Sequence, residues 1–371
     1  MKNKSTFKTR VLISGGGTAG HIFPALAIAD YIKHHYDADF LFIGARKRME
    51  IEKVKKAGYK ICQIWIDGLQ RKLSFRNIIL PLKLIISLFQ SLYFLIQYRP
   101  HIVIGTGGFV SGPVLFIATL LGIPTLIHEQ NSFPGITNKI LGKFVNTVCV
   151  SYPDMNRFFK NKKVVFSGNP VRKELKLKSS KKESIHHFNL SPNNPVILII
   201  GGSLGAEPIN KTIAKNLKCI QKESFQIIWQ TGKMHYEKYK KLGSSSVKIF
   251  NFIEHMNFAY TAADVVVSRA GAIAISEICI LKKASILVPS PYVSENHQYK
   301  NAEKLNNNFA TCLISEKLLN KLFWKKLKYL LDHDDYRRNI SKNAAQFSSS
   351  NAEQIIIQEI QALLNINNML K

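Results

Sequence analysis

The stretches VLISGGGTAGHIFPALAIA (residues 11–29) and VILIIGGSLGAEPINKTIA (residues 196–214) follow one plan. Each opens with a short apolar run, passes through a glycine turn and continues at helical spacing. A proline is expected in the first helical turn of each, where amides have no intrahelical partner to lose. Two copies of this strand–turn–helix device in 371 residues predict two α/β domains, each a doubly wound parallel sheet. A hydrophobic fraction of 46% suits packed cores.

The rest of the chain alternates in the same way. Strands are predicted at Val11–Ser14, Phe40–Ile43, Ile102–Ile104, Thr125–His128, Thr147–Val150 and Val164–Phe166. In the second half they are predicted at Val196–Ile200, Gln226–Gln230, Lys248–Phe250, Val265–Val267 and Ser285–Val288. Between them apolar residues recur at helical spacing, as in Ile22, Ala25, Leu26 and Ala29, or Ile209, Ile213, Leu217 and Ile220. The expected division is an N-terminal domain over 1–174, a polar linker over 175–195 and a C-terminal domain over 196–350. A last helix over 351–371 is expected to cross back to the first domain.

Each glycine turn presents backbone N–H groups at a positive helix end, a place for phosphate or another anion. Gly15, Gly17 and Gly20 spell G-x-G-x-x-G, the sketch of a dinucleotide turn. Such a site also wants an acid about 20 residues further on. The second strand ends FIGARKR instead, so an NADP-dependent oxidoreductase, with Arg46 on a 2′-phosphate, stays open as an alternative. His21 follows the turn, where the helix end favours the neutral imidazole that a general base requires. Gly107, Gly108 and Gly112 in IGTGGFVSGP let a bulky ligand approach the backbone, or only supply unusual backbone angles. His128, Glu129 and Asn131 in HEQN lie beyond a strand end, where open α/β sheets hold ligands. In SRAGAIAISE, a helix start offers the amides of Ala272 and Ile273, and Glu277 could accept two hydrogen bonds from a ribose diol or complement the helix end. Gln298 and Asn301 suit sugar hydroxyls. Asp332-His333-Asp334 contains the D-x-D of metal-dependent transferases but reads as helix-flanking charge.

Lys and Arg number 52 against 24 Asp and Glu, a net +28, which favours anionic partners without choosing among them. Five scattered cysteines show no zinc spacing and fit a reducing compartment. Only VLI precedes the first glycines, too short for a secretory signal core of about 7–15 residues, so a cytoplasmic chain is expected. The run IILPLKLIISLFQSLYFLIQY (78–98) is long enough to cross a bilayer. Pro81, Lys83, Gln90 and Gln97 interrupt it, and it lies among strands of one sheet. It reads as a helix with an apolar exposed face. With Ile79 in the run and Arg71, Lys72, Arg76 and Lys83 beside or inside it, that face suits an anionic membrane surface, aided by Lys139 and Lys143 if they lie on the same rim. An ordinary core helix with a charged outer face is the other reading.

The ordered set GGGTAGH, GGFVSGP, HEQN, GNPVR, GGSLGA, WQTGK, FIEHM, SRAGA…SE and HQYKNA resembles the MurG family over nearly the whole chain. These are the membrane-associated N-acetylglucosaminyl transferases of peptidoglycan synthesis. The resemblance implies a GT-B fold, two Rossmann-like domains facing across a cleft. It implies inverting transfer of GlcNAc from UDP-GlcNAc to lipid I, giving lipid II and UDP, with no metal or other cofactor. Expected partners are UDP-GlcNAc, lipid I, the anionic membrane surface and other cell-wall proteins, but no nucleic acid. The chain is expected as a peripheral protein on the cytoplasmic face of the inner membrane, with no transmembrane helix. The matched positions place the donor on Thr18, Ala19 and Gly20, with Asn131 beside the sugar. Arg172 and Ser203 match the diphosphate, Ile253 the uracil, Ala272, Ile273, Ala274, Ile275, Ser276 and Glu277 the nucleotide, and Gln298 the GlcNAc hydroxyls. His21 matches the favoured base or an acceptor-site residue. Gly107, Gly108, Phe109, His128, Glu129 and Asn301 are expected on the acceptor side. Two positions depart from the family: Phe109 stands where tyrosine is frequent, and Leu204 holds a turn position that is often polar. Another GT-B transferase acting on a different glycolipid is the second alternative.

Overall fold

The computed structural model describes residues 8–68, 78–177, 179–202 and 204–369. It separates into two compact units, Met1–Pro170 with Ser349–Lys371, and Val171–Ser348.

The first unit runs β1 (Thr9–Gly15), α1 (Ala19–His35), β2 (Ala38–Ala45), α2 (Met49–Lys56), β3 (Lys60–Ile64), α3 (Leu80–Tyr98) and β4 (Ile102–Gly107). It continues with α4 (Ser111–Leu120), β5 (Thr125–Glu129), α5 (Ile136–Leu141), β6 (Thr147–Val150) and β7 (Lys163–Phe166). Its strands pair in parallel in the order β3-β2-β1-β4-β5-β6-β7. Val11, Leu12 and Ile13 of β1 and Ile102, Val103 and Ile104 of β4 are almost wholly buried. Burial on both faces is what a parallel sheet covered by helices requires, and it explains these uninterrupted apolar runs. Each such side chain contributes about 1.5–3 kcal/mol through burial.

The second unit runs α6 (Lys181–His187), β8 (Val196–Ile200), α7 (Glu207–Lys222), β9 (Gln226–Gln230), α8 (Tyr236–Tyr239), β10 (Val247–Phe250) and α9 (Met256–Ala262). After these come β11 (Val265–Ser268), α10 (Ala272–Ile280), β12 (Ala284–Leu287), α11 (His297–Asn306), β13 (Cys312–Leu313), α12 (Leu319–Asp332) and α13 (Asp334–Ala344). The strand order is β10-β9-β8-β11-β12-β13, again parallel.

Three local differences from the sequence reading have physical causes. Segment 175–195, expected as a linker, carries α6, whose Ser180 N-cap forms a full capping box with Glu183. Its buried Ile185 gives the helix an inner face, and Ser179 Oγ donates to Thr261 Oγ1 in α9 at 3.1 Å. Pro24 is the sixth residue of α1 and not in its first turn, because the helix begins at Ala19. Its i−4 neighbour is Gly20, which places no side chain beside the ring. Pro208, by contrast, does lie in the first turn of α7. Finally, β3 and β13 lie at sheet edges and were not predicted: KICQI is too polar, and two residues too few, to stand out from a loop.

The last helix, α14 (Ala352–Met369), belongs to the first unit. Ile356, Ile357 and Ile360 join the core formed by Val11, Ala25, Ile28 and Ile104, and Lys163 pairs with Glu359 at 2.5 Å.

Helix α3 keeps most of its apolar residues outside, with Leu95 buried. Ser87 and Ser91 are buried, while Leu82, Ile85, Phe89, Tyr93 and Ile96 are more than half exposed. The serines satisfy themselves on the helix backbone, Ser87 Oγ donating to Leu84 O and Ser91 Oγ to Ser87 O, both at 2.7 Å. Small inward residues let α3 lie close to its neighbour α4 and leave its apolar stripe outside. Ile136 and Ile140 of α5 and Phe144 beyond it are also exposed.

Candidate active site

In a parallel sheet, ligands gather beyond the carboxyl ends of the strands, where the order reverses. In the first unit that point lies between β1 and β4, and in the second between β8 and β11. The glycine turns at 15–20, 105–112 and 201–206 and the turn at 269–271 therefore all sit at switch points. That placement follows from strand order alone.

In the first unit, Thr18 is the N-cap of α1, and the helix starts with Ala19 and Gly20. His21 Nδ1 lies 3.0 Å from Gly16 O and 3.2 Å from Thr18 Oγ1. A carbonyl can only accept, so Nδ1 carries the proton and Nε2 bears the lone pair. Burial lowers the imidazole pKa, against a smaller upward pull from the Gly16 carbonyl and the Glu50 charge. The neutral base form is thereby favoured at physiological pH. Gly107 (φ +97°) explains why a glycine is needed opposite: a Cβ there would sit 2.9 Å from His21 Cδ2 and 3.1 Å from Nε2. The missing side chain leaves the basic nitrogen uncovered. Gly108 follows it in the same turn, and the Phe109 ring lies against Gly17 with the Arg48 guanidinium 5.8 Å from the ring centre.

Behind this turn stands a polar network. Glu129 is buried and takes hydrogen bonds from Asn131 N (2.9 Å), Asn131 Nδ2 (3.1 Å), Gly135 N (3.2 Å) and Asn138 Nδ2 (2.8 Å). Burial raises its pKa, while these donors pull it down. Its role is thus to hold the 131–138 loop, with Asn131 at half-buried depth. His128 is fully buried, with Nε2 donating to Gly168 O (3.0 Å) and Nδ1 facing Gln130 Nε2 (3.0 Å); burial brings its pKa down to about 4. It supports the loop and offers no open nitrogen. Gln130 and Asn138 are further members of this network that the sequence reading missed. The one available signal was that Gln130 lies within HEQN itself.

In the second unit, Glu277 of α10 is 2% exposed. Arg172 Nε reaches its Oε1 at 2.9 Å, and Tyr260 OH donates to Oε2 at 3.0 Å. Burial raises the Glu277 pKa, opposed by Arg172 and Tyr260. Helix α10 begins at Ala272 with Gly271 as N-cap, so the amides of Ala272, Ile273 and Ala274 head the helix. Ile275 N already bonds Gly271 O, and Ser276 Oγ donates to Ala272 O. Ile253 N donates to Gln230 Oε1 (2.9 Å), whose Nε2 donates to Gly202 O (3.1 Å). Gln230 thus ties the 201–206 turn to the 253 loop. Gln298 Oε1 accepts from Ser290 N at 2.9 Å, and Asn301 is buried on α11. Ser203 lies outside the described residues.

The second glycine turn is as tight as the first. Gly205 has φ +89°, and a Cβ on it would lie 2.0 Å from the Thr231 carbonyl. Gly205→Ala should therefore destabilise this unit by about 1–3 kcal/mol, from backbone strain and the clash. A thermal melt showing no loss would contradict that packing.

Of the residues expected at a membrane, Arg71, Lys72 and Arg76 lie outside the described residues. Ile79 is exposed at the start of α3. Lys83 turns away from that rim: it pairs with Asp67 at 2.5 Å and lies over the Trp65 ring. Lys139 sits over Phe133 and Phe158, and Lys143 is exposed. The D-x-D acids are paired on helix ends, Asp332 with Lys328 and Asp334 with Arg337.

Residues 11–150 match the Glycosyltransferase family 28 N-terminal domain, and residues 196–356 its C-terminal domain. A protein of Christiangramia forsetii named UDP-N-acetylglucosamine--N-acetylmuramyl-(pentapeptide) pyrophosphoryl-undecaprenol N-acetylglucosamine transferase is 44% identical over 96% of this chain and 98% of its own length. The equally named protein of Flavobacterium psychrophilum is 45% identical over 95% and 96%. Among solved structures, MurG of Acinetobacter baumannii superposes with a TM-score of 0.79 at 29% identity, covering 95% of this chain and 99% of that one. The calicheamicin glycosyltransferase CalG4, at 12% identity and a TM-score of 0.73 over 96% and 98%, shares the fold. With both domains matched and relatives this similar over nearly full length, the chain belongs to the MurG family of the family 28 glycosyltransferases.

Proposed function

We infer that this protein transfers N-acetylglucosamine from UDP-N-acetylglucosamine to the 4-hydroxyl of the N-acetylmuramyl residue of lipid I, forming lipid II and UDP. The names of its full-length relatives support the reaction. The observation that carries the mechanism is His21, with Nδ1 committed to Gly16 O and Nε2 uncovered beside Gly107. Nε2 takes the proton of the acceptor hydroxyl as its oxygen attacks the anomeric carbon, and the bond to UDP breaks on the opposite face, inverting the configuration. Arg172 and the amides heading α10 meet the charge gathering on the leaving diphosphate. In the free protein Arg172 rests on Glu277. The donor replaces both halves of that pair, its diphosphate taking the guanidinium and its ribose diol the carboxylate. Since cationic and amide groups neutralise the leaving group, we expect the same turnover of labelled UDP-GlcNAc and a lipid I analogue with excess EDTA as with added magnesium. A loss with EDTA would require a divalent ion in the mechanism.

The NADP reading meets an obstacle in the first turn. The Gly17 amide, which a pyrophosphate would need, donates to Glu50 at 3.2 Å. UDP-GlcNAc at 100 times its Kd should stabilise the protein by about 2.7 kcal/mol through linkage, and NADPH should not. The opposite result in a thermal-shift assay would reverse the assignment.

The exposed apolar face of α3 supports a peripheral contact with the membrane that holds the lipid-linked acceptor. Its exposed Ile85 and Phe89 continue the apolar surface, and Lys139 and Lys143 supply cations nearby in sequence to exposed Ile136 and Ile140. Ile85→Glu with Phe89→Glu should abolish flotation with vesicles containing phosphatidylglycerol while leaving the melting temperature unchanged. Flotation equal to wild type would exclude α3 from the contact.

A further inference from the structure

The first glycine turn is closed from behind by a carboxylate that its motif does not include. Glu50, the second residue of α2, is 0% exposed. Its Oε2 accepts from Gly17 N at 3.2 Å and its Oε1 from Ala45 N at 3.1 Å. The space around it is shaped to the side chain. A Cβ on Gly16 would lie 2.3 Å from Glu50 Oε1, and one on Gly44 would lie 2.7 Å from Glu50 Cγ.

The Gly17 N–H and the Gly16 carbonyl belong to one peptide group. Its N–H is bound by Glu50, and its oxygen accepts from His21 Nδ1. A carboxylate, a single peptide and an imidazole thus stand in line. A peptide whose N–H is held by an anion is a better acceptor at its oxygen, because hydrogen bonds in series polarise one another. We propose that Glu50 is the positioning residue of the catalytic base, holding His21 in its Nδ1-protonated tautomer and stabilising the imidazolium through the Gly16–Gly17 peptide. The arrangement does what the carboxylate of a Ser-His-Asp triad does, at one peptide's remove. It rests on the reading of His21 as base. The proton stays balanced throughout: His21 Nε2 receives it from the acceptor hydroxyl, none passes to Glu50, and the imidazolium returns it to solvent after UDP leaves.

Among the described residues, the other groups around the imidazole do not duplicate this role. Thr18, Gly107 and Gly108 are uncharged, as is Asn138, which lies beside Gly107. Arg48 lies across the Phe109 ring, and Glu129 spends its oxygens on Asn131, Gly135 and Asn138. His128 lies deeper, on Gly168 O.

The test compares Glu50→Gln, Glu50→Asp and His21→Ala, alone and as the double variant Glu50→Gln/His21→Ala, in steady-state assays with UDP-GlcNAc and a lipid I analogue. Glu50→Gln should lower kcat about 10–100-fold, as loss of an outer-shell partner does, with the KM for UDP-GlcNAc unchanged. Removing the negative charge makes the imidazolium easier to deprotonate, so the acid limb of the kcat–pH profile should move to lower pH. Glu50→Asp, which keeps the charge, should return the limb to its wild-type position and restore part of kcat. On the His21→Ala background, Glu50→Gln should cost nothing further. Nitrogen-15 shifts of His21 in the intact protein should show a protonated Nδ1 in wild type and a mixed tautomer in Glu50→Gln. Wild-type kcat in Glu50→Gln would overturn the proposal, as would an unmoved acid limb with a pure tautomer. If His21→Ala retains turnover while Glu50→Gln loses it, the base assignment itself fails and Glu50 merely shapes the turn.

Discussion

Replacing His21 by alanine will lower kcat by about 10²–10⁴-fold, the usual contribution of a positioned general base. UDP-GlcNAc binding should change little, because the nucleotide is assigned to residues of the other unit, Ile253 and Ala272–Glu277. The Nδ1 proton is fixed on Gly16 O, so the single basic nitrogen is Nε2, and only a glycine at 107 leaves it accessible. Burial lowers the imidazole pKa, so the wild-type enzyme should hold its kcat somewhat below the ordinary histidine range before losing it as His21 protonates. His21→Ala should lose that acid limb, and the residual rate should be flat there. His21→Gln, which can hydrogen-bond but cannot take a proton, should be as slow as alanine. Single-turnover rates with saturating substrates check all three. A near-normal rate in His21→Ala would assign proton removal elsewhere.

Much of the fold was legible in the chain because the sheets are buried on both faces. Parallel strands such as β8 or β11 read as unbroken apolar runs, and the glycine turns after them mark the switch points. Of the four edge strands, β7 and β10 were legible, whereas β3 is too polar and β13 too short to stand out from a loop. The α3 run was legible as apolar. Which way it faces was not, for that depends on Ser87 and Ser91 packing inward. In the same way His128 and Glu129 could be marked as important, but their depth could not. HEQN reads as three ligand contacts, His128, Glu129 and Asn131. In three dimensions its first three residues brace the loop, and only Asn131 reaches half-buried depth. The supporting residues, Glu50, Gln130, Asn138, Gln230 and Tyr260, act through tertiary proximity. Glu50 stands 33 residues from the amide it holds, and Tyr260 stands 17 from Glu277, so no local pattern announces either; only Gln130 had a local signal, its place within HEQN.

Glu277→Gln should weaken UDP-GlcNAc about 10–100-fold, the worth of one charge-assisted hydrogen bond of about 1.5–3 kcal/mol. The carboxylate oxygens already face two donors in the free protein, Arg172 Nε and Tyr260 OH. A ribose diol is also a pair of donors and fits the same acceptor. Glutamine keeps one acceptor and turns an NH₂ toward a donor, so either the ribose or the resting pair loses a bond. The KM for UDP-GlcNAc and the Kd for UDP should rise by the same factor, while the KM for the lipid acceptor stays put. Tyr260→Phe removes one donor to that carboxylate and should itself cost about 1.5–3 kcal/mol. Burial raises the Glu277 pKa, so the carboxylate protonates at higher pH than an exposed glutamate would. Wild-type affinity for UDP should accordingly fall as pH drops through that raised value, and the affinity of Glu277→Gln should not depend on pH there. Calorimetric titration of UDP across that range distinguishes this from a structural role. If Glu277 served only to anchor Arg172, the variant would melt earlier yet bind UDP as tightly as before.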